Sequence, residues 1–545
     1  MNRPWTNQYD HPVPEPFTFP ETTLDRIFVG TVASHPDWVA LSFNDEDTTY
    51  RQLNDRINRF AHGLRSLGVE KGDRVALMLP TSPVYPMAAV AVHKIGAVIV
   101  NIGVMTKGPE FAGILQATGA RVLVTLDVFL PNIHTALAAA GVQHLILHSV
   151  SGIEQKLPPL AVTPLPLEQL LRSQPACEPR AVAEPGDLAV LQMTSGTSGR
   201  PKAVMLTHRN IVANLYQIEG FRPPTAPSNA AVICLLPFFH VFGFTICFQL
   251  SVLRGYRMVL VPRFDPLAVV PLLGLLEKYR PVLSLPAVPG LWIALTKHLE
   301  AGSLGTRALL ADIEMPSCGG APLPPTVKER YFQLTGRRLH EAYGLSEAAS
   351  TTHMTPLTKP CPAGSIGIPL PGTNARIVDL EDPDRTLDPG EVGELAVSGP
   401  QIMGGYWQTP EATESTARLK DGWLFTGDLA RMDASGFFFI VDRRDDMIIT
   451  SGFNVYPNEI EAVLKAHPEV ADAVVVGVPD PSRGCSIVAR VVPRDGETLT
   501  DAQVLEHCRA RLPDYKVPRR VLIVAEIPKS PVGKPLRREL RKAAD

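Results

Sequence analysis

The sequence predicts an α/β protein with a large N-terminal domain of parallel-rich sheets layered with helices, a small β-barrel-like subdomain, and a small α+β C-terminal domain. Three observations carry this prediction. Up to Gly364, short apolar runs alternate with longer stretches at helical spacing, the rhythm of a parallel sheet covered by helices. From Gly364 the texture changes to short strands separated by Gly, Pro and Asp turns. Beyond Arg444, two strand runs and three helical runs make a separate unit.

In chain order, the first strong helix covers residues 50–67, with Leu53, Ile57, Phe60, Ala61 and Leu64 on one face and Gly68 at the C-cap. The alternation continues with a strand at 75–79, a helix at 84–95, a strand at 97–100, a helix at 110–118, a strand at 121–125, a helix at 129–140 and a strand at 143–147. Residues 158–185 are proline-rich and weakly patterned, which reads as a surface connector. Strands resume at 188–191, 231–236, 258–261 and 282–285, with an amphipathic stretch at 211–215. Asp265 and Pro266 suit the N-cap and first turn of a helix that ends before Tyr279, and a further helix covers 323–334. The β subdomain takes strands at 374–378, 391–397, 436–441 and 447–450. The terminal unit takes strands at 470–478 and 485–492 and helices at 457–466, 501–512 and 535–542.

The chain of 545 residues is long enough for more than one core, and its 45% hydrophobic and 20% charged residues are an ordinary soluble balance. A formal charge of −3 gives no electrostatic case for nucleic acid. The 52 prolines outnumber the 41 glycines, favouring stiff loops over disorder. Seven scattered cysteines without a CxxC pair point to reduced thiols in the cytoplasm and to no zinc site. The N-terminus lacks the apolar core of a signal peptide. Residues 231–253 are uncharged and long enough to span a bilayer, but Pro237, His240 and Gly243 interrupt them, so a strand, a turn and a buried helix explain the run better. No transmembrane segment is expected. Peripheral membrane contact is left open, and oligomeric state is not legible.

One loop gathers the chemistry: Thr194-Ser195-Gly196-Thr197-Ser198-Gly199, closed by Lys202. Hydroxyls alternating with glycines let side chains and backbone N–H groups converge on phosphate oxygens, and the lysine adds a point charge. It is not the common nucleotide-triphosphatase loop, since Arg200 and Pro201 separate the last glycine from the lysine and Ala203 follows. Taken alone, such a run is more often a flexible turn. Five further islands follow: Pro237-Phe238-Phe239-His240-Val241-Phe242-Gly243, Ser317-Cys318-Gly319-Gly320-Ala321-Pro322, Glu341-Ala342-Tyr343-Gly344-Leu345-Ser346-Glu347, residues 422–429 around Gly427-Asp428, and residues 441–461. A basic segment containing Gly533-Lys534-Pro535 lies near the end.

With its islands in family order from about Phe17 to Arg541, the chain closely resembles the acyl-adenylate-forming enzymes: acyl-CoA synthetases, luciferases and nonribosomal-peptide adenylation domains. Residues 450–460 are most similar to bacterial long-chain fatty-acid–CoA ligases. The resemblance implies ATP-dependent activation of a carboxylic acid, a medium- or long-chain fatty acid, through acyl-AMP to acyl-CoA. ATP and CoA are the implied co-substrates, and Mg²⁺ the implied ion, held by Thr197 and Glu347. Residues 194–199 and Lys202 would grip the β- and γ-phosphates. Gly319, Gly320, Ala321, Tyr343 and Gly344 would frame the adenine, while Asp428 and Arg443 would serve the ribose. Lys534 would stabilise the charge redistributed at the α-phosphate, with Glu347 and His240 as the other catalytic residues. Phe239, His240, Phe242 and Trp292 would line the acyl pocket. The implied domains are 1–444 and 445–545, the second of them mobile about a hinge at Asp445, so that Ser451, Gly452 and Phe453 replace Lys534 at the site for the thioester step.

The residues leave rivals open. Gly344-Leu345-Ser346-Glu347-Ala348 nearly matches the serine-hydrolase elbow, with alanine in place of the closing glycine. A catalytically inactive nucleotide-binding protein would not need Lys534, Glu347 and Asp428 together. Phe239-His240 lacks the aspartate that an amino-acid adenylation domain places after the aromatic. An acyl-AMP ligase that skips CoA, and an aryl or branched acid, stay open. Two mild departures from the family pattern are Ala203 for glycine, which would restrict the loop backbone, and Ser346 for threonine.

Overall fold

The computed structural model describes residues 3–150, 159–194, 202–226, 228–263, 269–302, 304–408, 418–450, 453–480, 483–494, 497–529 and 535–542. The chain divides into two compact units, one of residues 1–374 and 397–424, the other of residues 375–396 and 425–545. The small β sheet, read from sequence as part of the N-terminal domain, therefore groups mainly with the C-terminal region.

The first unit carries two large sheets. One has nine strands among the described residues, in the order Ile368–Pro369, His353–Met354, His340–Tyr343, Met315–Gly319, Val282–Ala287, Ala231–Cys234, Arg257–Leu260, Val39–Phe43 and Glu46–Thr49. Its interior pairs are parallel and its two edges antiparallel. Trp292, Leu295 and Leu299 of helix Pro289–Glu300 and Tyr331 of helix Pro325–Thr335 fill the core against it. The other sheet has seven strands, ordered Pro164–Pro166, His144–His148, Val122–Leu126, Arg74–Met78, Val98–Asn101, Leu188–Thr194 and Lys202–Thr207. Only its last pair is antiparallel.

Several elements differ from the sequence reading. The supposed connector at 158–185 contributes the edge strand Pro164–Pro166 and the helix Leu167–Arg172. Prolines obscured a strand that tolerates them because it sits at an edge. The leucines of that helix are buried, and Leu170 lies so close to Gly63 that a β-carbon there would sit 2.8 Å from its Cγ. The helix expected at 129–140 breaks into short turns from Asp127 to Ala136. Asp265 and Pro266 lie outside the described residues, where the helix is Val269–Lys278. Residues 231–253 do divide, into strand Ala231–Cys234, a turn, the wide π-helical segment Gly243–Gln249 and the start of helix Leu250–Arg254. Among the described residues no helix is long and apolar enough to cross a membrane. Among the described residues no two cysteines form a disulfide.

The second unit holds most of a five-stranded sheet that includes Gly393–Ser398, Trp423–Met432 and Phe438–Arg443. A separate sheet runs Phe453–Val455, Ile448–Thr450, Gly484–Pro493, Val470–Asp480, with Arg520–Ile523 parallel to Gly484–Pro493. Ile460 and Leu464 of helix Pro457–Lys465 and Val504 of helix Asp501–Arg509 pack on it.

Burial of two histidines is expected to make the first unit acid-sensitive. Desolvation lowers His93 to about 4 and His353 to about 3. In the unfolded chain such rings bind protons below about 6.5, so stability is full above that value and falls as pH drops toward 4. We expect the melting temperature to fall over this window, and His93→Gln to shallow the slope; melting curves from pH 7.5 to 4.5 check this.

Candidate functional site

The loop base is an antiparallel hairpin. Thr194 pairs with Lys202 across strands Leu188–Thr194 and Lys202–Thr207. Ser195, Gly196, Thr197, Ser198 and Gly199 lie outside the described residues. The second strand, unread from sequence, feeds helix His208–Phe221 through a capping box between Thr207 and Asn210. A helix N-terminus therefore does not follow the loop directly. Ala203 sits in the ladder opposite Met193, buried in the core, so its side chain takes an ordinary strand position and the backbone restriction expected there does not arise.

An unpredicted segment stitches this hairpin to Glu347. The Met205 N–H donates to the Gly405 carbonyl at 3.0 Å, and the Trp407 N–H to the Ala203 carbonyl at 2.9 Å. The Met403 N–H reaches the Glu347 carbonyl at 2.8 Å. Between them, the Tyr406 hydroxyl donates to Glu347 Oε1 at 2.7 Å, and the buried Lys202 places Nζ over the Tyr406 ring, 5.3 Å from its centre. Burial, and then the Glu347 carboxylate, push the Tyr406 phenol well above its usual value, so it stays a donor. Its sequence signal was an aromatic pair after Gly404-Gly405.

Glu347 lies in the short turn Ser346–Ala348 after strand His340–Tyr343. Ala349 and Ser350 follow with φ of 56° and 139°, a left-handed backbone that costs free energy outside glycine. Side chains hold it: the Thr245 hydroxyl donates to the Ala349 carbonyl at 2.7 Å, and Asn214 bonds both polar groups of the Thr351 backbone. Because Ser346 opens only this short turn, the strand–turn–helix of a hydrolase elbow is not formed.

Parallel pairing sets Gly319 opposite Ala342, so Gly319, Gly320 and Ala321 come to the same sheet end as Tyr343 and Gly344. Gly320 has φ of 83°, and a β-carbon on Gly319 would lie 2.9 Å from Phe242 Cζ. Tyr343 meets His353 edge-on at 5.8 Å and is otherwise partly exposed. Trp292, expected on the acyl pocket wall, is instead sealed in the core at 0% exposure, edge-on to Tyr331. Its indole N–H donates to the Ser317 carbonyl at 3.1 Å. It thus supports the strand leading to Gly319 from behind.

Phe239 and His240 occupy a tight turn. The His240 N–H donates to the Pro237 carbonyl at 3.0 Å, and the Phe242 N–H to His240 Nδ1 at 3.2 Å. With Nδ1 accepting, Nε2 carries the ring proton. A β-carbon on Gly243 would sit 2.2 Å from the Pro237 oxygen, so only glycine closes this turn.

In the second unit, Asp428 and Arg443 face one another across paired strands, with Arg443 Nε 2.9 Å from Asp428 Oδ1. Buried Glu394, missed from sequence, accepts from the Gly427 N–H at 3.0 Å and from Arg444 at 2.7 Å, fixing the turn before Asp428. Asp445 is exposed in a short turn, and its carbonyl accepts from Arg541 at 3.1 Å. Phe453 is half exposed and stacks on Tyr515 at 4.5 Å. Ser451, Gly452 and Lys534 lie outside the described residues.

Residues 28–407 match the family model of the AMP-binding enzyme. The chain belongs to the AMP-binding enzymes. Residues 459–534 match the C-terminal domain of the same enzymes. Over its whole length the chain is 38% identical to a long-chain-fatty-acid–CoA ligase of Salmonella typhimurium, covering 99% of that protein. It is 35% identical to the ligase of the same name from Bacillus subtilis, over 99% of this chain and 97% of the relative. Among solved structures, ATP-bound MatB from Rhodopseudomonas palustris aligns with a TM-score of 0.83 at 27% identity, over 96% of this chain and 99% of that one. This AMP-binding enzyme therefore has relatives that share its full span, not merely one of its units.

Proposed function

We propose that this AMP-binding enzyme activates a medium- or long-chain fatty acid with ATP and passes the acyl group to CoA. The observation that carries the reading is the arrangement of Lys202, Tyr406 and Glu347 at the base of the hydroxyl-rich hairpin. It joins a cation suited to phosphate with a hard carboxylate oxygen held at a set orientation. The long-chain ligase relatives support the choice of acid.

In the first step a carboxylate oxygen attacks the α-phosphorus, the bond to the β-phosphate oxygen breaks, and pyrophosphate leaves. In the second the CoA thiolate attacks the acyl carbon, the acyl–oxygen bond breaks, and AMP leaves. Residues 194–199 and Lys202 grip the leaving pyrophosphate. Tyr343, with the backbone of Gly319, Gly320 and Ala321, receives adenine. Asp428, oriented by Arg443, accepts the ribose hydroxyls. Phe239, His240 and Phe242 receive the acid, with His240 Nε2–H as a donor. Lys534 stabilises charge as it moves to the α-phosphate. Asp445 serves as the hinge, with 1–444 and 445–545 as the moving parts, and Ser451, Gly452 and Phe453 serve the thioester step.

Mg²⁺ fits the donors available. Among the described residues no three His, Cys, Asp or Glu side chains cluster as a metal cage. An ion that takes one or two protein oxygens and completes its shell with phosphate and water needs none. Glu347, with Thr197, would hold it, and bound there it would neutralise phosphate charge. Tyr406→Phe removes the hydrogen bond to Glu347, worth about 1.5–3 kcal/mol to a charged group. Weaker Mg²⁺ dependence of ATP binding, read by titration calorimetry, is the expected outcome; wild-type binding would count against the role of Glu347.

The function is tested by AMP and pyrophosphate release with ATP and CoA across acids from C4 to C18 and a set of aryl acids. Highest turnover with the longer fatty acids is expected. Turnover confined to aryl acids overturns the substrate assignment, and acyl-AMP accumulation without CoA consumption overturns the acceptor.

A further inference from the structure

Behind the turn that carries His240 runs a buried polar chain that no step above uses. Asn101 and Gln192 pair in register on neighbouring parallel strands. The Tyr85 hydroxyl donates to Asn101 Oδ1 at 2.5 Å, Asn101 Nδ2 donates to Gln192 Oε1 at 3.0 Å, and Gln192 Nε2 donates to the Phe239 carbonyl at 2.8 Å. The three side chains are 0%, 1% and 3% exposed. A carbonyl can only accept, so the final contact sets the direction of every bond before it. Gln192 must present its amide N–H to Phe239, leaving its oxygen for Asn101, whose own oxygen then takes the tyrosine proton.

Gln192 also stands two residues before Thr194, the last residue of the hairpin's first strand, and pairs with Val204 across that hairpin. It therefore ties the Phe239–His240 peptide to the strand that bears the pyrophosphate grip. Thr81 holds the start of the same turn, donating to the Leu236 carbonyl at 3.0 Å. We infer that Gln192 is a positioning residue that sets the acid's carboxylate in register with the α-phosphate, through the Phe239 carbonyl. The inference rests on the reading of His240 as a neighbour of that carboxylate. Leaving the part-buried carbonyl without its donor frees the turn while the hairpin keeps its backbone ladder.

The test is ATP–pyrophosphate exchange by the full chain, with KM measured separately for acid and ATP from pH 6 to 8.5. Gln192→Leu removes the donor and is expected to raise the acid KM about tenfold, the loss of one part-buried hydrogen bond, with little change in the ATP KM. Gln192→Glu keeps the acceptor for Asn101 but donates only when protonated. Its acid KM is expected to be high at pH 8.5 and to recover as pH falls, with a midpoint raised by burial; the wild type shows no such step. That recovery also shows that the variant is folded. Equal rises in both KM values, or a Gln192→Glu acid KM that does not change with pH, would overturn the inference. His240→Ala separates the two readings. An unchanged acid KM there overturns the reading of the turn itself, whereas a raised one with unaltered Gln192 variants overturns the positioning role alone.

Discussion

Gly344→Ala is expected to reduce pyrophosphate exchange at least about a hundredfold, the scale of an ångström-level displacement of reacting groups, and to destabilise the first unit. A β-carbon at Gly344 would lie 1.5 Å from the Ser350 carbonyl oxygen, a backbone atom that no rotamer change can move. The backbone that must yield is the left-handed Ala349–Ser350 turn, which Thr245 and Asn214 already pin. Moving it carries Glu347 away from Tyr406. Overpacking of this kind costs about 1–3 kcal/mol even where side chains can give way. Gly30→Ala is the matched control, because nothing lies within 4 Å of the new methyl and the site is helical. It should gain about 0.5–1 kcal/mol. Wild-type exchange and melting in Gly344→Ala would refute the close approach.

Lys534→Ala is expected to slow adenylation about 10²- to 10³-fold, the usual loss for one preorganised donor at developing charge. Thioester formation from supplied acyl-AMP should stay within a few-fold of wild type, because that step no longer needs charge stabilised at the α-phosphate. The two half-reactions are measured apart, by pyrophosphate exchange and by acyl-CoA formation from synthetic acyl-AMP. Equal loss in both would remove Lys534 from the adenylation step.

The candidate site could be proposed from the sequence because its signals are local. Hydroxyls and glycines at 194–199, a glycine pair at 319–320 and a Gly-Asp turn at 427–428 each advertise close backbone approach or phosphate chemistry within a few residues. Tyr406 was not legible as a partner of Glu347, which lies 59 residues earlier. Gln192 did leave a trace, a lone amide in an apolar strand, but its acceptor on Phe239 lies 47 residues away. Trp292 misled for a related reason: apolar residues near a site look alike whether they face a ligand or a core. Its burial against Tyr331 decided the matter.

The sequence alone determined the family, the α/β order and the class of chemistry, since periodicity and short motifs depend on neighbours along the chain. The tertiary structure decided that strands Leu188–Thr194 and Lys202–Thr207 pair antiparallel, that Tyr406 holds Glu347, and that Arg443 pairs with Asp428. It also grouped the small β strands mainly with the C-terminal region. These outcomes turn on which polar groups packing brings together, because a donor or acceptor taken even partly out of water needs a partner within about 3 Å. No local pattern encodes that choice.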